Sequence, residues 1–212
     1  MKYHFRKFLY LVLIIGVSCA KAGAYEDFFI AVNRDDDRGV VKLLERGFDP
    51  NSRDPTGQIG LILALRDGSP RVAEALWKSP ALDVNVQNAS GETALMMATL
   101  RGQVAWMRRL LDRGAAPHKE GWSPIHYAAT GPEVKAVTLL LERGAPVEAL
   151  SPDKDTPLMM AARYGAEASV DLLLARGASA SAKNSRNLDA VDLAQAGGRE
   201  FLVERLQKSV KR

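Results

Sequence analysis

Few side chains in this 212-residue chain are of the types that carry out metal or nucleophilic chemistry. The single cysteine is Cys19, and the histidines beyond the N-terminal segment are His118 and His126. These two histidines lack the short spacing of zinc ligands on one helix. No phosphate-binding loop or nucleophile motif is present, and the pair Gly197-Gly198 follows no predicted strand. We therefore expect no catalytic, metal-binding or cofactor-binding site.

The run Asp35-Asp36-Asp37 places three carboxylates together, and carboxylates are ligands for hard cations. Asp also tolerates turn geometry, and charged runs of this kind are usually solvated. We interpret the run as a solvated turn.

The N-terminal segment has the three parts of a secretory signal peptide. A basic start at residues 2–7 precedes an apolar run at residues 8–17, and small residues lead to Ala24. A membrane-spanning helix needs about 20 apolar residues, so we expect this run to be removed rather than kept as an anchor. We predict cleavage after Ala24, with Ala22 as the alternative, and no stable membrane insertion afterwards.

A different reading of the same segment centres on its cysteine. Residues 16–19, Gly-Val-Ser-Cys, partly resemble the lipobox at which bacterial lipoproteins are cut and acylated, although that family usually has Leu where this chain has Gly16. The alternative is thus a lipoprotein acylated at Cys19. With cleavage after Ala24, the mature protein instead has no thiol that an oxidising compartment would modify.

The formal net charge of +4 comes entirely from four basic residues before residue 25, where no acidic residue stands. The rest of the chain is therefore neutral. A neutral domain has no summed field to attract phosphates, so we expect no nucleic-acid partner.

Two sequence blocks recur along the chain at a common spacing. The first reads Thr-Ala-Leu-Met-Met-Ala at residues 93–98 and returns at residues 123–128, 156–161 and, more faintly, 189–194. The second block, built around Arg-Gly-Ala, lies at residues 110–115, 140–145 and 173–178. Both blocks advance by 30 and then 33 residues, which predicts a chain built from repeats.

Each repeat carries signals for two short helices. A Ser or Thr offers its side-chain oxygen to the first amides, and Pro takes the first helical position, as in Ser123-Pro124 and Thr156-Pro157. We expect Gly102 and Gly165 to end first helices. Left-handed glycines are predicted to end the second helices, at Gly114, Gly144 and Gly177.

These blocks resemble the ankyrin repeat, whose signature is Thr-Pro-Leu-His-x-Ala, and the leader resembles that of small exported bacterial ankyrin-repeat proteins. The resemblance implies an all-α ankyrin-repeat solenoid of stacked helix-turn-helix units with protruding β-hairpin-like loops. His126 occupies the signature histidine, which the family uses to tie adjacent loops. The predicted organisation is a signal peptide at 1–24, repeats at 25–53, 54–89, 90–120, 121–153, 154–186 and 187–209, the first and last as caps, and a tail at 210–212.

The second repeat departs from this pattern at both ends. Ile59-Gly60 stands where Thr-Pro is expected, and residues 78–83 lack the Arg-Gly-Ala stop. We therefore predict a missing helix cap, a lengthened loop and a weaker point in the stack.

The resemblance also implies a concave binding face made from loop tips and the outward side of the first helices. Carried over by position, its candidate residues are Leu63, Arg66, Met97, Leu100, Arg101, Tyr127, Thr130, Met160, Arg163 and Tyr164, with Trp122 at a loop tip. Methionine, tyrosine and arginine are enriched in interfaces. An alternative left open is that Met97, Tyr127 and Met160 contact the next repeat instead.

From these patterns we expect an exported, non-catalytic scaffold that binds another protein through its concave face, as an accessory factor in the periplasm. The alternatives are a structural lipoprotein at the outer membrane, anchored through Cys19, and a secreted effector.

Overall fold

A computed structural model describes residues 23–210. The predicted signal peptide up to residue 22, the lipidation candidate Cys19 and residues 211–212 lie outside this part. The regular secondary structure of the described residues is helical, apart from an isolated antiparallel bridge between Arg53 and Ile59, and turns and loops connect the helices. The helices are α1 (23–33), α2 (Asp37–Glu45), α3 (Gly60–Asp67), α4 (Pro70–Trp77), α5 (Ala94–Leu100), α6 (Val104–Asp112), α7 (Pro124–Thr130), α8 (Val134–Glu142), α9 (Pro157–Tyr164), α10 (Glu167–Ala175), α11 (Ala190–Ala196) and α12 (Glu200–Val210).

The chain forms two compact units, an N-terminal unit up to Asp83 and a C-terminal unit from Val84. In the N-terminal unit, α4 packs against α2 and α3, and the Phe28 ring of α1 stacks on Phe48 with centroids 4.5 Å apart. In the C-terminal unit, the inner helices α5, α7, α9 and α11 pack in succession, each against its own outer partner α6, α8, α10 or α12. This two-layer order confirms the predicted all-α ankyrin solenoid.

The helix starts at Thr93 and Thr156 follow the predicted capping pattern, whereas Ser123, also predicted to cap, accepts no hydrogen bond from the first amides of α7. The hydroxyl oxygen of Thr93 accepts a hydrogen bond from the Met96 amide, and that of Thr156 accepts one from the Met159 amide, both at 3.3 Å. In return, the methionine sulfurs accept from the threonine amides at 3.3–3.4 Å. Each cap thus satisfies amide groups that the first helical turn leaves without partners.

Two kinds of glycine end the helices. The outer-helix glycines have the predicted left-handed backbone, with φ of +94°, +87° and +88° at Gly114, Gly144 and Gly177. Gly165, which ends α9, has instead an extended backbone with φ of −88°. It is required for space, because a Cβ there would overlap the carbonyl oxygen of Ala129 in the preceding inner helix.

The same close approach recurs on either side of Gly165. A Cβ on Gly131 would stand 3.1 Å from the Thr99 carbonyl oxygen, and one on Gly197 would stand 2.8 Å from that of Arg163. Each turn after an inner helix therefore closes directly on the end of the inner helix before it, and these contacts set how close successive repeats lie.

The second repeat shows the predicted departures. Helix α3 begins after Ile59 without a side-chain cap, and α4 ends at Trp77 without the left-handed glycine that follows α6, α8 and α10. The division between the two compact units comes shortly after, at Asp83.

The aspartate run forms a turn that is more than a solvated surface. Asp35 takes a left-handed backbone with φ of +52°, and its carboxylate accepts a hydrogen bond from the Val72 amide at 2.8 Å. Asp36 caps α2 by accepting from the Gly39 amide at 3.1 Å. The carboxylates therefore satisfy the first amides of two helices.

We expect Gly165→Ala to lower the free energy of unfolding by about 1–3 kcal/mol, because the added methyl group forces two inner helices apart. Urea unfolding followed by far-UV circular dichroism measures the change. The matched control is Gly177→Asn, at a left-handed position with open space around it, where we expect a loss below about 1 kcal/mol. A loss at Gly165 no larger than at Gly177 would contradict the close-packed turn.

Candidate protein-binding surface

The loops between repeats share one construction in the C-terminal unit. The side-chain oxygen of Asn88 accepts from the amides of Ser90 and Glu92, and that of Asn184 accepts from Arg186 and Leu188, all at 2.9–3.0 Å. A residue with positive φ forms each tip, as in Gly91. These bonds hold each loop as a tight hairpin-like turn, which agrees with the predicted loop shape.

The loop that precedes α7 is an exception, because it has His118 in place of the asparagine and carries bulkier residues near its tip. Gly121 supplies the positive φ, and Trp122 directly follows it. The half-buried Trp122 ring lies edge-on to His126, with centroids 5.5 Å apart, and to Tyr127, at 6.4 Å. The tryptophan is thereby fixed against the start of α7.

His126 links this repeat to the next. Its Nδ1 accepts from the Ser123 amide at 3.1 Å, so Nε2 carries the proton and donates to the carbonyl oxygens of Ala149 and Asp155 at 3.0 and 3.1 Å. The side chain is fully buried. Burial lowers the pKa of His126, although the carbonyl bonds oppose that shift. The predicted tie between adjacent loops is confirmed.

Above this histidine, the inner helices leave a depression of about 220 Å³. Its lining comes from α5, α7, α9 and the Trp122 loop, and consists of Leu100, Trp122, His126, Tyr127, Thr130 and Met160. Small-molecule sites typically occupy roughly 300–1,000 Å³, so this depression suits a single side chain better than a cofactor.

Apart from the indole N–H of Trp122, the polar side-chain atoms of the lining have partners within the protein. The Tyr127 hydroxyl donates to a Glu92 carboxylate oxygen at 3.1 Å, and the Asn88 amide donates to the other oxygen at 2.7 Å. Burial raises the pKa of Tyr127, and the Glu92 carboxylate raises it further. The Thr130 hydroxyl donates to the Tyr127 carbonyl oxygen at 2.9 Å. The depression is therefore an apolar surface to a ligand.

Exposed residues at the ends of α5 and α9 flank the depression. Leu100 is 37% exposed and Tyr164 is 56% exposed, so both present apolar or aromatic area to solvent beside the depression. Arg101 is exposed, and the Arg163 guanidinium lies 5.0 Å from the centroid of the Tyr164 ring. Within residues 23–210, neither arginine forms an ion pair.

The structure brings most of the predicted residues together. One depression is lined by Leu100, Trp122, Tyr127, Thr130 and Met160. Two of the helices that contribute to it also carry the other predicted residues: Arg101 directly follows α5, and Arg163 and Tyr164 end α9. His126 was not predicted to line the depression, and the signal for its role was its place directly before Tyr127 on a capped helix.

Three of the predicted residues do not belong to this surface. Met97 is only 2% exposed and Leu63 only 5%, so neither presents a binding surface. Both are apolar side chains on inner helices that the surrounding protein covers completely, so they contribute to the core. Arg66 is exposed but belongs to the N-terminal unit, where it pairs with Asp67 at 2.8 Å.

Across residues 23–210, no group of three or more His, Cys, Asp or Glu is arranged to hold a metal ion. The same part of the chain contains no helix with the length and apolar content needed to cross a membrane.

Comparison with known proteins decides the family. The family model described as ankyrin repeats (3 copies) matches residues 28–119 and 106–187 of this chain. The chain belongs to the ankyrin-repeat family. Ankyrin repeats form a generic scaffold for interactions between proteins, and this ankyrin-repeat chain has the stacked inner and outer helices expected of one.

Its relatives are much longer proteins from animals. The chain is 35% identical over 73% of its length to the human SH3 and multiple ankyrin repeat domains protein 2, of which it spans 9%. It is 33% identical over 70% of its length to the mouse B-cell lymphoma 3 protein homolog, of which it spans 35%. These comparisons show the ankyrin repeats, and they show neither export nor a bacterial type.

We expect the free energy of unfolding to decrease as the pH falls below about 6.5, the ordinary pKa of histidine. In that range the unfolded chain binds a proton at His126, whereas the folded protein, with its lowered pKa, does not. Above about 6.5 neither state is protonated there, so this contribution is constant. Urea unfolding across this range should show the stability advantage of wild type over His126→Asn shrinking as the pH falls.

The control for that experiment is His118→Asn, the same substitution at an exposed histidine. This variant should keep the pH dependence of the wild type. If His126→Asn kept it as well, the titrating group would have to be another one.

Proposed function

We propose that this protein is a non-catalytic scaffold that binds a partner protein through the inner helices and loop tips of its C-terminal unit. The observation that carries the proposal is the apolar depression between α5, α7 and α9, with exposed Leu100, Arg101 and Tyr164 beside it. The stack does not require these side chains to face solvent. Exposed clusters of aromatic and aliphatic residues commonly mark interaction sites.

The composition of this surface supports a protein as the partner. Trp, Tyr and Arg dominate the residues that contribute most to binding between proteins, usually in a water-excluding centre with a polar rim. Here Trp122 and Tyr127 form the centre, while Arg101 and Arg163 stand toward the edge. Met160 adds an adaptable side chain that accommodates different contact shapes.

The arrangement around His126 supports a non-catalytic role. A histidine beneath a depression is a candidate general base, which needs a ring nitrogen available to a substrate. Both nitrogens of His126 are occupied, one by the Ser123 amide and the other by two carbonyl oxygens. The lowered pKa then reflects burial of a structural histidine.

Export is the second part of the proposal. We infer that residues 1–24 are a signal peptide and that the mature protein acts in the periplasm as an accessory factor. The basic, apolar and small-residue order of this segment supports this. Cleavage after Ala24 leaves Tyr25 as the first residue, and its ring packs against Phe29 and Phe48 with centroids 5.3 and 6.4 Å away. Cleavage there removes Gly23 and Ala24 from the start of α1 and keeps these ring contacts of Tyr25.

Capture of partners from the envelope fraction of the producing cell tests the binding surface. The wild-type protein serves as bait beside the triple variant Arg101→Ala, Arg163→Ala and Tyr164→Ala. We expect the variant to retain the specific partner at least about tenfold less, because truncating a few central or charged contacts removes most binding energy. Quantitative mass spectrometry of the captured proteins measures the loss.

The matched control for capture carries Arg108→Ala, Lys135→Ala and Gln207→Ala, three exposed positions on outer helices. It should capture the partner as well as the wild type does. Equal retention by both triple variants would move the site away from the inner helices. Circular dichroism and unfolding curves establish that each variant folds.

Intact-mass measurement and N-terminal sequencing of the protein from producing cells test export. We expect a mature chain that begins at Tyr25 and an unchanged N-terminus in Cys19→Ala. Two additional residues would indicate cleavage after Ala22. A start at Cys19 with acyl chains, lost in Cys19→Ala, would establish the lipoprotein alternative, and a retained leader would contradict export.

A further inference from the structure

We propose that the partner presents an acidic segment with one aromatic or long aliphatic side chain, which inserts into the depression above His126. This inference rests on the proposed function and specifies the chemistry of what the inner helices bind. It follows from three features of the C-terminal unit: the size of the depression, the charge on either side of it, and the hydrogen-bonding capacity left at its edge.

The size and lining of the depression determine the anchoring residue. About 220 Å³ of space is bounded by Leu100, Trp122, Tyr127 and Met160, and the hydroxyl groups of the lining already bond within the protein. A polar side chain entering this space would lose its water without gaining a partner, which is costly. An aromatic or long aliphatic side chain would instead bury apolar area and contact the aromatic rings at favourable angles.

The charge beside the depression determines the flanking residues. Arg101 follows the end of α5 and Arg163 lies in the last turn of α9, so the two arginines belong to the helices that pack on either side of α7. Neither forms an ion pair within the described part of the chain. Arginine carries several donors in a planar group that suits carboxylates. Acidic residues before and after the anchoring side chain would reach both positions.

The acidic residues nearby do not pair with these arginines. Glu92 accepts hydrogen bonds from Tyr127 and Asn88, which occupy both carboxylate oxygens but leave its charge in place. Glu133, on the turn that follows α7, packs its side chain against Gly102, and Glu120 is exposed in the loop before Trp122. The attraction for an acidic partner therefore comes from the guanidinium groups of Arg101 and Arg163 themselves rather than from a net positive surface.

Trp122 adds a donor at the edge. Its indole N–H has no acceptor among residues 23–210, although the ring itself is fixed against His126 and Tyr127. A carbonyl or carboxylate oxygen of the bound segment would provide that acceptor. Tryptophan that combines apolar contact with one hydrogen bond is frequent at the centre of protein interfaces.

Selection from a phage library of random peptides tests this inference, with immobilised wild-type protein as the target. We expect the enriched peptides to share one aromatic or long aliphatic residue with Asp or Glu on both sides. For the best peptide, Arg101→Glu with Arg163→Glu should weaken binding by at least about tenfold, because attraction becomes repulsion. Binding should also weaken as the salt concentration rises.

Two further variants separate the possible outcomes. Arg108→Glu with Lys135→Glu reverses two charges on outer helices and should change the Kd by less than about twofold. Leu100→Ser with Met160→Ser alters the depression without altering charge and should also weaken binding. Circular dichroism shows that each variant keeps its helices.

Enriched peptides that lack acidic residues, or that bind the Arg101 and Arg163 charge-reversal variant as well as the wild type, would overturn the proposed chemistry. If such peptides still required Leu100 and Met160, the binding surface itself would stand. Peptides that bound all the inner-helix variants as tightly as the wild type would contradict the proposed function as well. A selection that enriched no consensus would overturn the acidic-segment inference, and capture of the cellular partner would test the surface independently.

Discussion

Direct contact between a turn and the preceding inner helix governs how the C-terminal unit is built. At Gly131, Gly165 and Gly197, a side chain as small as a methyl group would meet the carbonyl oxygens of the helix before. The repeats therefore approach each other through backbone alone at this end, which fixes the separation of the inner helices. The width of the depression between α5, α7 and α9 depends on that separation, so the proposed binding surface depends on the packing of the glycine turns.

At the opposite end of the inner helices, one signature position takes different side chains with different consequences. Met96 and Met159 bond back to the amides of their own caps through sulfur, a weak acceptor. His126 makes the same local contact through Nδ1 and has a second nitrogen, which binds two carbonyl groups of the next loop. Among these three repeats, the one that contains His126 is therefore the one whose signature residue also bonds to the next loop. The rigid imidazole forms the base against which Trp122 and Tyr127 are placed.

The sequence was sufficient to predict the repeats, the capping residues and the left-handed glycines, because each depends on local chemistry that recurs at fixed spacing. How far neighbouring residues bury a given side chain cannot be deduced from the spacing of the repeats. Met97, Tyr127 and Met160 occupy equivalent positions, yet Met97 is completely buried while the other two are half-buried. The exposure of each of these side chains depends on the sizes of the side chains around it. A periodic sequence pattern carries no information about those sizes. For the same reason, the pattern identified Trp122 as unusual for its place but did not predict its contacts with His126 and Tyr127.

The exposed residues around the depression have no role in holding the stack together. Its stability comes from buried side chains such as Leu95, Met107 and Ile125, which lie between the layers and are completely covered. Leu100 and Tyr164 could be polar without loss of those contacts, and Arg101 and Arg163 gain nothing from ion pairs within the described residues. Keeping apolar area in water has a cost that folding does not recover. A partner that covers this area would recover it, and this is the physical reason to propose binding at this surface.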